Sequence, residues 1–248
     1  MRSKSFKTFR PHLFFNINYN IIKIKIFIDE SEVVSLKGKF ITFEGLDGSG
    51  KTTVIHKIKQ YFEDQKSNDQ ILYEREPGSN RISEAIRNIA LSEKYPEMDA
   101  RTEALLYAAA RRQHLVESVF PALKTGKIVI SDRFVDSSLA YQGGGRQIGV
   151  QKVASINQFA TDGLTPDLTF YLDIDPLIGL QRIHTHRENE VNRLDNEKLD
   201  FYQRVHQTYL QLARQNPQRI KTIDAAQPLE VVFKQVLAFL KEFLEKDN

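Results

Sequence analysis

Short apolar runs and longer amphipathic segments alternate along most of this chain. From residue 39 onward each run has the length of a buried β-strand, and the segment that follows has apolar residues at helical spacing. This alternation favours an α/β fold in which helices flank a parallel sheet. The predicted strands are Phe40–Phe43, Ile71–Tyr73, Ile128–Ile130, Leu168–Leu172 and Ile220–Ile223. The predicted helices lie near 50–65, 80–92, 100–124, 151–162, 176–186, 197–215 and 228–245.

Residues 1–38 differ from the rest of the chain in composition and charge. The segment is rich in Phe, Asn, Ile and Lys, and it holds seven basic and three acidic residues. Because the whole chain carries a formal net charge of only +3, residues 39–248 are close to neutral. We expect 1–38 to be a poorly ordered extension, or a start assigned too early, with the true start at Val33, Val34 or Leu36. Residues 39–248 are then one domain.

The overall composition narrows the class of protein. Hydrophobic residues make up 41% and charged residues 27%, which excludes a fully disordered chain. No run of roughly 18 apolar residues occurs, which excludes a membrane-spanning helix. Cysteine is absent, which excludes disulfides and Cys-ligated zinc and fits a reducing compartment such as the cytoplasm. The mild net charge gives no indication of nucleic-acid binding.

One motif follows the first predicted strand directly and opens the first predicted helix. It matches the phosphate-binding loop G-x-x-x-x-G-K-[ST], and chance is a poor explanation in this context. Glycines let several backbone N–H groups point at a phosphate, the lysine can reach the β- and γ-phosphates, and the last hydroxyl can ligate Mg²⁺. The motif residues are Gly45, Leu46, Asp47, Gly48, Ser49, Gly50, Lys51 and Thr52.

Polar residues stand at the carboxyl ends of two further predicted strands. Asp132 and Arg133 follow the third strand, so the carboxylate could hold Mg²⁺ and the guanidinium could bind a phosphate. The alternative is a salt bridge at the strand end. Arg75 and Pro77 follow the second strand and suit a wall of the same crevice, although an ordinary turn is an equal alternative.

Two helical faces and one flap add candidate groups. Tyr107 and Arg111 share a helical face, where the ring could stack on a base while the guanidinium bonds the edge of that base. Spacing alone favours another interpretation, in which Tyr107 lies in the core and the arginines form a solvated stripe. Gln142 could read a pyrimidine edge, and the three glycines after it predict a flexible loop. The polar flap (residues 184–196) carries Arg187 and Arg193, with Arg182 just before it. Cations on a closing segment can neutralise a phosphoryl group in transfer, although a solvated charged loop is an equal alternative.

Together these motifs resemble those of bacterial thymidylate kinases, a family of P-loop nucleoside monophosphate kinases. The similarity covers the chain from Lys39 to the C-terminus. Any one short motif is unspecific, but seven motifs in the family's order and approximate spacing are highly specific. They read FEGLDGSGKTT, REPG, RTEALLYAAARRQHL, SDRFVDSSLAYQGGGR, TDGLTPDLTFYLD, NRLD and DAAQPLE.

The resemblance implies a fold and an activity. The fold is the three-layer P-loop kinase fold, with a five-stranded parallel sheet flanked by helices. The activity is transfer of the γ-phosphoryl group of ATP to dTMP, which gives dTDP for dTTP synthesis. Mg²⁺ is the implied cofactor and a cytoplasmic homodimer the implied form, with no nucleic acid or membrane as partner. A P-loop kinase for another nucleotide, and a non-catalytic protein that binds nucleotides or nucleic acid, remain as alternatives.

The resemblance also assigns roles to individual residues. ATP would be bound by the motif residues above together with Thr53 and Arg182, and Mg²⁺ by Thr52 and Asp132. The DAAQP turn would line the adenine site, and Arg182 could cover the adenine instead of acting in catalysis. The implied dTMP site consists of Asp47, Arg75, Pro77, Arg87, Tyr107, Arg111, Arg133, Ser138 and Gln142. The implied catalytic residues are Lys51, Asp47, Arg133, Arg187 and Arg193, with Arg187 as the first choice in the flap. Phe134 departs from the family, in which Tyr or His is common.

Overall fold

The structure is a computed structural model, and it describes residues 38–66, 68–186, 194 and 197–245. Five parallel strands form one sheet in the order β2-β3-β1-β4-β5. The strands are β1 (Lys39–Gly45), β2 (Ile71–Arg75), β3 (Ile128–Asp132), β4 (Leu168–Asp173) and β5 (Ile220–Asp224). This order puts β1 in the centre, between β3 and β4, and brings the carboxyl ends of β1 and β3 side by side.

Helices cover both faces of the sheet and connect its strands. The longest helices are α1 (Lys51–Asp64), α3 (Ala100–His114), α6 (Val150–Thr161), α8 (Leu199–Gln215) and α9 (Leu229–Glu245). The shorter ones are α2 (Arg81–Leu91), α4 (Phe120–Lys124), α5 (Val135–Ser138) and α7 (Pro176–His186). Within the described ranges, none of them is both long and apolar enough to cross a membrane.

The alternation of side chains along β1 explains the three layers. Ile41 and Phe43 point into a large core that also contains Phe170 and Leu172 of β4. Phe40 points to the opposite face, where a smaller core includes Val129 and Phe134. Because a parallel sheet with helices on both faces is buried on both sides, its strands are almost continuously apolar. This confirms the predicted fold, and each predicted apolar run lies within an observed strand.

Two segments differ from the sequence prediction. The predicted helix over 100–124 is interrupted by a π-helical turn, Leu115–Val119, before α4. Pro121 has no N–H to donate to the carbonyl four residues earlier, which disfavours a continuous α-helix there. The glycines after Gln142 do not form a flexible loop. Leu139–Gly145 is π-helical, and Gly144 and Gly145 allow close packing against α8.

This close packing predicts a large effect of one methyl group. A Cβ on Gly144 would lie 2.0 Å from the Thr208 hydroxyl oxygen of α8 and 2.9 Å from its Cβ. We therefore expect Gly144→Ala to lower the free energy of unfolding by roughly 1–3 kcal/mol, the usual range for overpacking. Denaturant unfolding measures this change. As a control, Thr208→Ala in the same chain removes the nearest atom and should restore part of the loss. A Gly144→Ala protein as stable as the parent would contradict the packing described here.

Candidate active site

The loop between β1 and α1 is built to hold an anion. Gly48 and Gly50 have φ values of 78° and 88°, which L-residues other than glycine rarely adopt. Gly50 caps α1 without a side-chain hydrogen bond, and the first turn of α1 contains no acidic residue. A Cβ at Gly50 would meet nothing within 4 Å, so there is room beside the helix N-terminus. The positive end of α1 therefore faces open space, as in a phosphate site.

Helix α7 lies directly against this loop. A Cβ on Gly48 would be 2.3 Å from the backbone oxygen of Gly179, which leaves no room for a side chain at position 48. Further along α7, the Arg182 guanidinium donates to the carbonyl of Gly48 at 3.4 Å and to that of Ala225 at 3.1 Å. Arg182 thus joins the phosphate loop to the turn after β5. Arg187 and Arg193, which follow α7 in the chain, lie outside the described residues.

Lys51 is a buried cation at the centre of the loop. Its ammonium donates to the carbonyls of Gly45 at 3.2 Å and Leu46 at 2.9 Å. Burial, reinforced by repulsion from Arg133, lowers the pKa of Lys51 to about 8. Gly45 and Leu46 act through these carbonyl groups and do not line the cavity.

Thr52 and Asp132 come together at the end of the sheet. The Thr52 hydroxyl donates to Asp132 Oδ2 at 2.9 Å, although the two residues are 80 positions apart. A hydroxyl oxygen and a carboxylate oxygen next to a phosphate site are the donor set that Mg²⁺ prefers, since it takes few protein oxygens and fills its shell with phosphate and water. The residues present therefore fit this metal ion.

The alternative for Asp132 and Arg133 was a salt bridge between them at the strand end. In the structure Arg133 pairs with a different carboxylate. Its φ of 74° turns the chain sharply after β3. The guanidinium then reaches Asp47 Oδ1 at 2.8 Å and the carbonyl of Gly45 at 3.0 Å, and it lies 5.0 Å from the centre of the Tyr141 ring. The tyrosine hydroxyl donates to the other Asp47 oxygen at 3.2 Å. Arg133 and Asp47 therefore form one fixed charge pair at the edge of the cavity.

A buried carboxylate beneath this pair escaped the sequence analysis. Glu44 is fully buried and accepts hydrogen bonds from the Phe134 amide at 2.7 Å, the Ser137 hydroxyl at 2.5 Å and the Tyr209 hydroxyl at 2.9 Å. Burial, with the charge of Asp136 adding to it, raises the pKa of Glu44 to about 7. A glutamate inside an otherwise apolar strand was the available signal, because a buried carboxylate needs partners.

One cavity of about 690 Å³ unites most of the predicted site. Its walls include parts of the phosphate loop, the ends of β2 and β3, helix α3 and the start of α9. The predicted residues that line it are Asp47, Gly48, Ser49, Gly50, Lys51, Thr52, Thr53, Arg75, Pro77, Arg87, Tyr107, Arg111, Asp132, Arg133, Ser138, Gln142 and Arg182. Groups that lie far apart in the sequence thus face one space.

Spacing alone favoured a Tyr107 in the core and an Arg111 in solvent, and the structure shows neither arrangement. Tyr107 lines the cavity, and Arg111 is 4% exposed. Arg111 donates from Nε to Glu76 at 2.7 Å and from Nη2 to the Phe134 carbonyl at 3.1 Å, while Nη1 donates to Ser138 at 3.1 Å and also to Asn157. Within the described residues these bonds use four of its five N–H groups, so one remains for a ligand.

The orientation of Arg111 depends on a second buried cluster that the sequence analysis also missed. The other oxygen of Glu76 lies 3.0 Å from His114 Nδ1, and His114 Nε2 lies 3.2 Å from Glu74. Burial alone would lower the pKa of His114, but the two carboxylates raise it to about 9. His114 is therefore a cation at neutral pH and balances the charge beneath Arg111.

The two arginines at the open end of the cavity share one acidic neighbour. Arg75 Nη2 lies 2.6 Å from Glu84 Oε1, and Arg87 Nη1 lies 3.9 Å from Glu84 Oε2. All three side chains are partly exposed. This gives a positive rim on the side of the cavity opposite the turn after β5, next to Pro77.

These features define a P-loop nucleotide kinase. One cavity contains a glycine-rich phosphate loop, a pair of oxygen atoms for a metal ion and a second polar pocket. Comparison with known proteins narrows the class. The thymidylate kinase family model matches residues 43–236. A thymidylate kinase of Ligilactobacillus salivarius is 57% identical over 209 residues, which is 84% of this chain and all of that protein. One from Clostridium novyi is 55% identical over 205 residues, or 83% of this chain and 99% of that protein.

A solved structure agrees with the sequence matches. The crystal structure of thymidylate kinase from Ehrlichia chaffeensis superposes with a TM-score of 0.66 and 33% identity, covering 82% of this chain and 98% of that one. The chain therefore belongs to the thymidylate kinase family, as its motifs predicted.

The lowered pKa of Lys51 predicts that ATP binding weakens in alkaline solution. Below about pH 8 the ammonium is charged and attracts phosphate; above it the free protein loses this proton, and the Kd for ATP should rise by up to about tenfold per pH unit. Calorimetric titration at fixed metal concentration measures this dependence. Lys51→Ala should bind weakly at every pH, and Lys51→Arg should remain insensitive to pH. A wild-type Kd that is constant from about pH 7 to about pH 9.5 would show that Lys51 does not act in this way.

Proposed function

We propose that this chain phosphorylates dTMP to dTDP, with ATP as the phosphoryl donor. Membership of the thymidylate kinase family supports this activity directly. The structural observation that carries it is a single cavity with a phosphate loop at one end and a ring, a guanidinium and an amide at the other. Such a cavity suits two nucleotides that meet through their phosphates, which is the arrangement in-line phosphoryl transfer requires.

ATP is the ligand proposed for the phosphate-loop end. Backbone N–H groups at the start of α1 and the Lys51 ammonium hold its phosphates. The adenine then lies toward the turn after β5, where Ala225, Gln227 and Leu229 line the cavity. Arg182 bonds the carbonyls of both Gly48 and Ala225, which supports a role in covering the adenine over a role at the transferred group.

We assign Mg²⁺ to Thr52 and Asp132, on the basis of their 2.9 Å contact beside the phosphate loop. When bound, this ion supplies neutralisation of charge on the β- and γ-phosphates. The two residues themselves provide a hydroxyl and a carboxylate that are already in place, so no side chain has to move to create the site.

The dTMP site is proposed for the other end. Tyr107 stacks on thymine, and Arg111 offers its remaining N–H to the base, with Ser138 and Gln142 as polar neighbours. Arg75, Arg87 and Arg133 surround the acceptor phosphate, and Asp47 meets the sugar hydroxyl. The Asp47–Arg133 pair supports this assignment, since it holds a carboxylate and a cation at the boundary between the two nucleotide ends.

Catalysis in this proposal is electrostatic. Lys51 and Arg133 are held beside the region through which the phosphoryl group passes, and buried cations act strongly in a site of low dielectric. Arg187 and Arg193 are proposed to complete the set from the flap, with Arg187 first. No group of the protein has to form a covalent bond with the phosphoryl group, because positioning and charge supply most of the rate of phosphoryl transfer.

We also propose a homodimer formed through α2, α3 and α6. Helix α3 packs against both of the others, and all three expose large apolar side chains. Ile89 is 46% exposed, Leu105 55% and Phe159 88%. Apolar groups spread over three adjacent helices are typical of a protein interface.

The proposed catalytic domain comprises residues 39–248, and the proposed location is the cytoplasm, where ATP and dTMP are both available.

Phosphorylation rates for a panel of monophosphates test the proposed function. The full-length protein is assayed with ATP and with dTMP, dUMP, dGMP and AMP in parallel, and ADP release is followed in a coupled assay. We expect the highest kcat/KM for dTMP. A clear preference for a purine monophosphate would refute the assignment, and absence of turnover with every acceptor would favour a protein that only binds nucleotides.

Arg111 provides a test of the acceptor end, with an exposed arginine as control. Arg111→Ala should raise the KM for dTMP by roughly tenfold to a hundredfold, because a buried hydrogen bond from a charged group is lost, and should change the KM for ATP much less. Arg214→Ala is the control, since Arg214 is an exposed arginine near the end of α8 that does not line the cavity and lies outside the proposed dimer helices. It should leave both constants near their normal values. If Arg111→Ala raises the KM for ATP more than the KM for dTMP, Arg111 does not contact the base.

A further inference from the structure

A buried carboxylate on α3 lies behind the acceptor end of the cavity. Glu103 is one helical turn before Tyr107 and two turns before Arg111, so the three share the face of α3 that points toward the site. Its side chain is fully buried. No role follows for it from the phosphate chemistry, yet burying a carboxylate is unfavourable unless its partners compensate.

A guanidinium and an amide lie against Glu103 and bear on its chemical state. Arg146 lies against it, with Nη2 3.1 Å from Oε2 and Nε 3.3 Å from both carboxylate oxygens. The Gln142 amide nitrogen donates to Oε1 at 2.8 Å. A carboxylate paired with a guanidinium is ionised, and an ionised carboxylate only accepts hydrogen bonds.

This state fixes the orientation of the Gln142 side chain. An amide has one end that donates and one that accepts, and only the donating end can face an ionised carboxylate. Gln142 lines the cavity and is 2% exposed, so its environment holds it in place. Its carbonyl oxygen Oε1 is therefore the atom it offers a ligand, and no group in the described part of the chain donates to that oxygen.

A fixed carbonyl group distinguishes pyrimidines by the state of one ring nitrogen. N3 of thymine and of uracil carries a hydrogen and can donate to the carbonyl, whereas N3 of cytosine has a lone pair that opposes it. A buried polar group without a partner can reduce kcat/KM by several orders of magnitude, which is the strongest kind of discrimination available to a binding site.

We propose that Glu103 is a specificity-determining positioning residue, which turns the Gln142 carbonyl toward the base and so selects monophosphates that carry a hydrogen at N3. The inference rests on the proposed function, since it requires a pyrimidine at this end of the cavity. Arg146 contributes a positive charge that compensates the buried carboxylate. It also bonds Glu197, near the start of α8, but that contact does not involve Gln142.

The decisive variant is Glu103→Gln, which keeps the size of the side chain but can both donate and accept. Gln142 is then free to present either end. We expect the ratio of kcat/KM for dTMP to that for dCMP to fall at least tenfold, mainly through KM for the two acceptors, while KM for ATP stays within about twofold. Glu197→Gln is the matched control, because it removes a carboxylate from Arg146 without touching Gln142. It should keep the ratio of the wild type.

A measurement on the wild-type protein covers the case in which Glu103→Gln does not fold. As the pH falls toward the pKa of cytosine N3, dCMP gains the hydrogen that dTMP already has. The ratio of Kd for dCMP to Kd for dTMP should therefore fall, and the common phosphate cancels in this ratio. A ratio that stays constant or rises overturns the proposal, as does a folded Glu103→Gln protein with unchanged discrimination. Wild-type protein without dTMP kinase activity would instead refute the proposed function itself.

Discussion

The active site depends on one buried carboxylate at the end of the central strand. Glu44 immediately precedes the phosphate loop, and it binds the Phe134 amide, the Ser137 hydroxyl and the Tyr209 hydroxyl. These groups belong to the segment after β3 and to α8. The backbone ladder between β1 and β3 sets the spacing of the two strand ends, and Glu44 ties the end of β1 to the segment after β3 and to α8. Loss of one donor would leave part of the hydrogen-bonding capacity of this buried carboxyl group unsatisfied.

Buried glutamates also orient polar groups at the proposed acceptor end of the cavity. Glu76 holds Arg111, and Glu103 holds Gln142, as Glu44 holds the segment that carries Arg133. In each case a glutamate that is nearly or fully buried orients a polar group that faces the cavity. A fixed orientation has a functional value, because a group already aligned with its ligand requires no rearrangement during binding or transfer. Each buried charge is unfavourable by itself, so the hydrogen bonds around it must be complete.

The sequence predicted the fold and the residues that line the cavity better than it predicted the residues that support them. Strands, long helices and the phosphate loop are local patterns, and a loop between a strand and a helix has a geometry that its own residues determine. Support by Glu76 and Glu103 depends on partners 35 and 39 positions away, and no local period encodes such a pair. The π-helical segment Leu139–Gly145 was missed for a similar reason, since its glycines serve close contacts with α6 and α8 and not a turn.

Glu44 and Tyr209 are 165 residues apart in the sequence. This separation has a consequence for folding during synthesis on the ribosome. Among the described strands, the central strand β1 is synthesised first, but it pairs with β3 and β4, which come later in the chain. It therefore has no partner strand in the sheet until β3 has been synthesised. Contacts of such long range make folding slow. The residues that line the cavity extend from the phosphate loop to the start of α9, so its walls are complete only after both α8 and the start of α9 have been synthesised.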